Sequence, residues 1–153
     1  MITAWRIVKA EHVADAFSGE GAVLNAGRWH SAGIRVVYTS EFASLAALEI
    51  LVHLRRKNRP PAYHLIPCYF HEALVEEVDV KRLPPNWAAG ISPPSLRAYG
   101  DTWSRDRVSP VLKVPSAVTQ IEFNYLLNPE HPDFGSIDIG ESQPFRLDLR
   151  LLT

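Results

Sequence analysis

Cysteine is nearly absent from this chain: Cys68 stands alone, which excludes an internal disulfide and a cysteine-built zinc site, and there is no CxxC pair for redox work. A reducing, cytoplasmic compartment is the expectation. Charge of one sign is lacking too. Sixteen basic residues face seventeen acidic ones for a net charge of −1, so no global basic field invites nucleic acid or an anionic membrane. No run approaches the apolar length needed to span a bilayer, and the start, Met1 to Arg6, has no basic segment followed by an apolar one, so neither a membrane span nor an export signal is expected. Fixed-period repeats are missing, which disfavours solenoids and propellers.

Several catalytic signatures are missing as well. Gly19-Glu20-Gly21 does not continue into a dinucleotide or phosphate-binding glycine loop. The six histidines, His12, His30, His53, His64, His71 and His131, form no HExxH or HxH pattern, so no metal is expected. No GxSxG elbow marks a nucleophilic serine, and Cys68 sits in a strand-like run where it reads as a small apolar residue. Arg55, Arg56, Lys57 and Arg59 read as the solvated end of a helix, and Trp87, Tyr99 and Trp103 as packing residues.

What remains is the composition of one ordinary domain spanning residues 1–153, 46% apolar and 22% charged, with twelve prolines that punctuate it as turns. Strands are expected at 5–10, 34–39, 62–70, 73–80, 110–114, 117–123 and 145–151. The runs 62–70 and 73–80 suggest a hairpin around His71-Glu72, and Pro67 suggests an edge position or a bulge. The glycine-rich stretch 11–31 reads as a loop that lines something, with Gly27-Arg28-Trp29-His30 inside it. Ser40 reads as the N-cap of a helix from Glu41 to Lys57 that is apolar on most faces and therefore central and buried. Ser92 with Pro93 and Pro94 opens a second, shorter helix. Strands outnumber helices without regular alternation, so the class is α+β and a doubly wound parallel sheet is disfavoured.

Glu49 is then a carboxylate among apolar side chains in the middle of a helix, and such a group is paired, neutralised or functional. It belongs to an ordered set: Gly27-Arg28-Trp29, Val37-Tyr38-Thr39-Ser40, Leu48-Glu49-Ile50-Leu51-Val52-His53, Val114-Pro115-Ser116-Ala117-Val118, and Asn124-Tyr125-Leu126-Leu127-Asn128 followed by Pro129, His131 and Phe134. This set closely resembles the RES-domain family, named for an arginine, a glutamate and a serine that fall here on Arg28, Glu49 and Ser116. The resemblance runs from Trp5-Arg6 to about Phe134, and the stretch from His71 to Arg107 carries little of it.

The resemblance implies an enzyme: a toxin of a bacterial toxin–antitoxin pair with an ADP-ribosyltransferase-like fold of mostly antiparallel sheets. Its substrate would be NAD+, degraded by phosphorolysis with inorganic phosphate as co-substrate, or used to ADP-ribosylate a protein. The implied partner is a DNA-binding antitoxin of the Xre type that blocks the active site in a hetero-oligomer, so that nucleic acid contact belongs to the partner. A catalytically inert nucleotide-binding module is the rival from another class. The residue types suit the implied chemistry. Glu49 can stabilise the oxocarbenium-like ribose left when nicotinamide departs. Arg28 and Arg6 can hold a diphosphate or an attacking phosphate, and Tyr38 can stack on the pyridinium. Ser116 is expected to orient rather than attack, for no histidine sits where it would activate the hydroxyl. Trp29, His53 and Asn128 are expected around these groups, while Asn124 and Asn128 are read together as fixing the turn at Asn128-Pro129.

Overall fold

β-Branched and aromatic runs pair into one sheet of eight short strands: β1 Ile2–Lys9, β2 Val37–Ser40, β3 Tyr63–Phe70, β4 Val75–Glu77, β5 Val111–Pro115, β6 Phe123–Leu127, β7 Asp138–Ile139 and β8 Gln143–Phe145. The computed structural model describes residues 1–54 and 59–152, so the expected cationic helix end at Arg55, Arg56 and Lys57 lies outside the described residues. Strand order is β4-β5-β6-β2-β1-β3-β7, with β8 also on β3. Every pairing is antiparallel except β4 with β5. Among the described residues three α-helices complete the α+β fold: α1 Glu20–Leu24, α2 Ala43–His53 and α3 Pro94–Arg105.

Alternation along β1 sends Ala4 and Val8 to one face of the sheet and Trp5 and Ile7 to the other. The first face packs Val37, Ile66, Cys68, Phe70, Val111, Tyr125 and Leu127 against Ala16 and Phe17 of the loop after β1. The second face carries two separate clusters. Ile7, Tyr63 and Leu65 pack under Ala46 of α2, and Leu112, Val114 and Leu126 pack with Leu96 and Trp103 of α3. Two helices standing on one face over different strands leave a cleft between them, floored by β1 and β2.

Several sequence expectations are corrected. The run 73–80 is not the second arm of a hairpin: β4 pairs with β5, at the opposite end of the sheet from β3. Residues 117–121 form a turn rather than a strand, and the run 145–151 ends its strand at Phe145 and closes as a 3-10 turn over Leu149–Leu152. Alternation alone could not see that these segments had no neighbour to pair with. Pro67 lies within β3, opposite Trp5, where the outer side of β3 passes from β8 to β7; its missing N–H falls in that gap. The helix expected from Glu41 begins at Ala43, with Phe42 as N-cap and Ser40 still in β2. It is also less covered than its apolar composition suggests. Leu45 and Ala46 are buried, but Leu48 is 39% and Val52 62% exposed, so α2 lies against the sheet with one side open.

Candidate active site

The cleft between α2 and α3 is a cavity of ≈ 840 Å3, within the usual span of small-molecule sites. Side chains reach it from β1, β2, α2, the turn after β5, β6, α3 and the two loops that carry Gly27 to Trp29 and Ala88 to Ser92.

Glu49 projects into it from the middle of α2. Ser116 Oγ donates to Glu49 Oε1 at 3.1 Å, and the Asn124 side chain also bonds the carboxylate. Ser116 is completely buried, and its oxygen accepts from the N–H groups of Val118 and Thr119 at 3.1 and 3.4 Å, so the turn after β5 fixes the hydroxyl. A completely buried hydroxyl held on three sides orients a carboxylate and has no open approach for attack. Asn124 donates to Ser40 Oγ at 3.0 Å and to the Thr39 carbonyl at 3.4 Å. It is therefore part of the site, and its reading as a turn residue is corrected. Asn128 is the reverse case: it is fully buried away from the cavity, donates to the Ser104 carbonyl at 3.1 Å and accepts from Glu130 N–H at 3.0 Å, tying β6 to the end of α3.

Burial raises the Glu49 carboxyl above the ordinary carboxylate range, opposed by hydrogen bonds from Ser116 and Asn124 and by the nearby His53 and Arg28. His53 lies one helical turn after Glu49 and lines the cavity from an exposed position.

Arg28 enters from the opposite side on a tight turn closed by Gly27 N–H donating to the His30 carbonyl at 3.0 Å. Only glycine fits at 27, since a Cβ there would stand 2.7 Å from both Tyr38 Oη and His30 Cε1. Arg28 Nη1 donates to the Trp87 carbonyl at 2.9 Å. Burial lowers the Arg28 guanidinium from its ordinary value, with Glu49 and Tyr38 opposing. Tyr38 lines the same cavity, and its hydroxyl is fully engaged. His30 Nε2 faces the carbonyls of Asn25 and Ala22 at 2.8 and 3.1 Å and must carry the hydrogen. His30 Nδ1 is therefore the acceptor for the Tyr38 hydroxyl at 2.7 Å, while Trp29 N–H donates to the same oxygen at 3.2 Å. Burial raises the Tyr38 phenol far above its ordinary value. With its hydroxyl occupied, Tyr38 offers the cavity its ring.

Arg6, expected as a phosphate ligand, is among the residues lining the cavity, but its guanidinium is engaged with main chain. Its Nε donates to the Ala16 carbonyl at 2.6 Å and its Nη1 to the Tyr38 carbonyl at 2.9 Å. By alternation with Ala4 and Val8 it points to the other face of the sheet, where burial pushes the guanidinium down to about 10 against the opposing Cys68 and Asp15. Arg6 secures the backbone of Tyr38 and serves the site from behind.

The stretch 80–105, where sequence patterns were weakest, carries the groups that were missed. Ser92, expected as a helix cap, donates instead to the Arg28 carbonyl at 2.6 Å, and Pro93 takes the N-cap position of α3. Arg97 Nε donates to the Gly27 carbonyl at 2.9 Å, and Arg97 lines the cavity. Asp101 accepts from Ser31 N–H at 2.8 Å and Ser31 Oγ at 2.6 Å. Gly100 lies so close under Trp29 that a Cβ would come within 1.7 Å of its carbonyl oxygen. Trp29 itself is 2% exposed and meets Tyr99 edge to face at 6.3 Å. A signal for this was available: Arg97, Gly100, Asp101 and Ser104 recur at i, i+3, i+4 and i+7, a polar, glycine-containing helix face suited to backbone rather than to a core.

Among the described residues no three His, Cys, Asp or Glu side chains gather as a metal site, and no helix is long and apolar enough to cross a membrane.

The RES domain family matches residues 3–148. A relative named Toxin Res from Photorhabdus laumondii is 34% identical over 149 residues, covering 97% of this chain and 96% of that protein. One named Prs ADP-ribosylating toxin from a Sphingobium species is 30% identical over 153 residues, covering 97% and 95%. A further Toxin Res from Pseudomonas putida is 36% identical over 136 residues, covering 88% and 91%. Among solved structures, a chain of the M. tuberculosis MbcT–MbcA toxin–antitoxin complex superposes with a TM-score of 0.78 at 18% identity, covering 94% of this chain and 84% of that one, a likeness of fold. With the match running almost end to end and with Arg28, Glu49 and Ser116 around one cleft, the chain belongs to the RES-domain family.

Proposed function

We propose that this protein is a bacterial toxin that consumes NAD+ by breaking its nicotinamide–ribose bond, with inorganic phosphate as the acceptor. The observation that carries the reading is Glu49: a half-buried carboxylate held by Ser116 and Asn124 across a cavity from Arg28, with the ring of Tyr38 between them in sequence and beside them in space.

NAD+ divides into parts that these groups suit. The cationic pyridinium is attracted by the ring face of Tyr38, a contact of roughly 0.5–2 kcal/mol. As the glycosidic bond lengthens, positive charge grows on the ribose, and a fixed carboxylate stabilises it more than it stabilises the ground state. Glu49 serves in its ionised form, which Ser116 and Asn124 favour by donating to it. Arg28 supplies a permanent planar charge for phosphoryl oxygens. In the phosphorolytic reaction the bond from the ribose anomeric carbon to nicotinamide breaks, its electron pair leaves with neutral nicotinamide, and a phosphate oxygen bonds to that carbon to give ADP-ribose 1″-phosphate.

Transfer of ADP-ribose to a protein is the second reading, favoured by the relative whose name describes an ADP-ribosylating toxin. It uses the same bond cleavage with another acceptor. The solved neighbour stands in a complex with its antitoxin, and with the family resemblance this supports an antitoxin of the Xre type that covers the cavity as the expected partner and the cytoplasm as the expected site of action.

Incubating the purified protein with NAD+, with and without inorganic phosphate, and identifying the products by liquid chromatography and mass spectrometry tests these readings. Phosphate-dependent ADP-ribose 1″-phosphate with nicotinamide supports the first. Labelled protein, formed only when cell extract is added, supports the second. NAD+ that stays intact under both conditions overturns both and leaves a binding module.

A further inference from the structure

Two guanidinium groups, those of Arg28 and Arg97, line this cavity, and the Glu49 carboxylate acts on Arg28 from across it without a direct ion pair. Neither Arg28 nor Arg97 takes part in any ion pair found among the described residues. Each is instead anchored by a single bond to a main-chain carbonyl, Arg28 Nη1 to Trp87 at 2.9 Å and Arg97 Nε to Gly27 at 2.9 Å. Anchoring through Nε leaves both terminal nitrogens of Arg97 without a partner among the described residues. Both arginines are half-buried and line the same cavity as Tyr38, on which both bear together with the Asp101 carboxylate.

Partly buried cations held only by neutral carbonyls repel each other and lose hydration, a cost that a bound anion removes. The anchoring is also what a binding fork requires, since the carbonyl bonds fix each guanidinium in place while leaving other N–H groups for a ligand. Arg97 is further braced by its own helix, which is locked to the Arg28 turn through Asp101 with Ser31 and through Gly100 under Trp29. The two arginines come from segments 59 to 70 positions apart from their carbonyl anchors, so neither can move without the other element.

We infer that Arg97 is a second phosphoryl-binding residue that acts with Arg28 as a two-arginine clamp on the side of the cavity facing Glu49. The ligand chemistry is a phosphoryl dianion or a diphosphate. Its source is either the diphosphate of a dinucleotide or free inorganic phosphate. The inference rests on the NAD+ reading for the identity of the substrate, while the clamp itself is a statement about anions.

The test is titration calorimetry on the purified chain with inorganic phosphate, ADP-ribose and adenosine as separate probes, for the unaltered protein and for Arg97→Gln, Arg97→Lys and Ser92→Ala. Removing one charge-assisted contact is expected to weaken a phosphate-bearing probe by about 10-fold to 100-fold. Loss toward ADP-ribose alone assigns the clamp to the diphosphate, and loss toward inorganic phosphate assigns it to the co-substrate. Arg97→Lys should recover part of the loss by keeping the charge. Ser92→Ala cuts a tether of the same turn without removing charge. If Ser92→Ala weakens the anions as much as Arg97→Gln does, or if Arg97→Gln binds phosphate and ADP-ribose within twofold of the unaltered protein, the inference is overturned. Charge-dependent anion binding in a protein that leaves NAD+ intact would retain the clamp and remove the NAD+ reading. Unchanged NAD+ consumption and unchanged anion affinity in Arg97→Gln would do the opposite.

Discussion

The two sides of the cavity are held in opposite ways. On the α2 side the single carboxylate of Glu49 is met by side-chain donors, Ser116 and Asn124, which favour its ionised form. On the α3 side the cations of Arg28 and Arg97 are met by main-chain carbonyls, which fix their position without supplying charge. One side has its charge met by side-chain donors and the other by main-chain carbonyls alone. Under the proposed reading the difference assigns developing positive charge to the Glu49 side and phosphoryl oxygens to the arginine side.

The largest effect expected from breaking this contrast is at Glu49. Glu49→Gln keeps shape and removes charge, and NAD+ consumption measured by product chromatography should fall by at least about 10²-fold to 10³-fold, the usual cost of one electrostatic stabiliser. The same substitution should raise thermal stability at neutral pH. The folded-state pKa of Glu49 is raised, so its contribution to stability is greatest below the unfolded-state pKa and is lost as pH rises through the folded value, leaving a burial cost at pH 7 that Gln removes. Full activity in that variant would remove the anionic side from the mechanism.

Next comes the contact that joins α3 to the Arg28 turn. Gly100→Ala places a methyl group 1.7 Å from the Trp29 carbonyl oxygen, and backbone must shift on one side or the other. Urea denaturation should show a loss of roughly 1–3 kcal/mol, as for overpacked cores, accompanied by weakened anion binding. A stable variant with intact binding would show that the two elements can separate without harm. Arg6→Gln sharpens the contrast from behind the sheet. It leaves the Ala16 and Tyr38 carbonyls short of a donor, and stability should fall by about 1–3 kcal/mol while the dependence of rate on NAD+ concentration changes little. A large rise in KM with unchanged stability would instead return Arg6 to the ligand.

The smallest expected effect is a shift in a pH profile. Ser116 donates to Glu49 and so holds its pKa down against burial. In Ser116→Ala the acid limb of kcat/KM should move to higher pH, because more of the carboxyl is protonated at a given pH. A profile that stays in place would make Ser116 a packing residue only.

Much of this site was legible as residue types in order. Arg28, Tyr38 and Glu49 line one cavity, with Ser116 buried behind Glu49, and it was the family resemblance of the ordered set that singled them out, since each residue alone reads equally well as packing or surface charge. For Arg6 that approach could not read which way the guanidinium turns. A strand residue's side of the sheet depends on register, and one step along β1 separates the cavity from the opposite core. Arg97 and Ser92 were missed for the converse reason, since their partners are main-chain carbonyls 70 and 64 residues distant, and a carbonyl leaves no mark in sequence.

By itself the sequence determined the α+β class and the runs that became β1, β3, β5 and α2, which follow from local periodicity and residue type, and the family, which follows from the resemblance of its ordered motifs. The tertiary structure decided which face each charge occupies, which strand β4 pairs with, and that the weakly patterned α3 closes the cavity over Arg28. These depend on contacts between distant segments, where register, close approach of glycine to backbone and the capture of unpaired carbonyls are settled only when the elements meet.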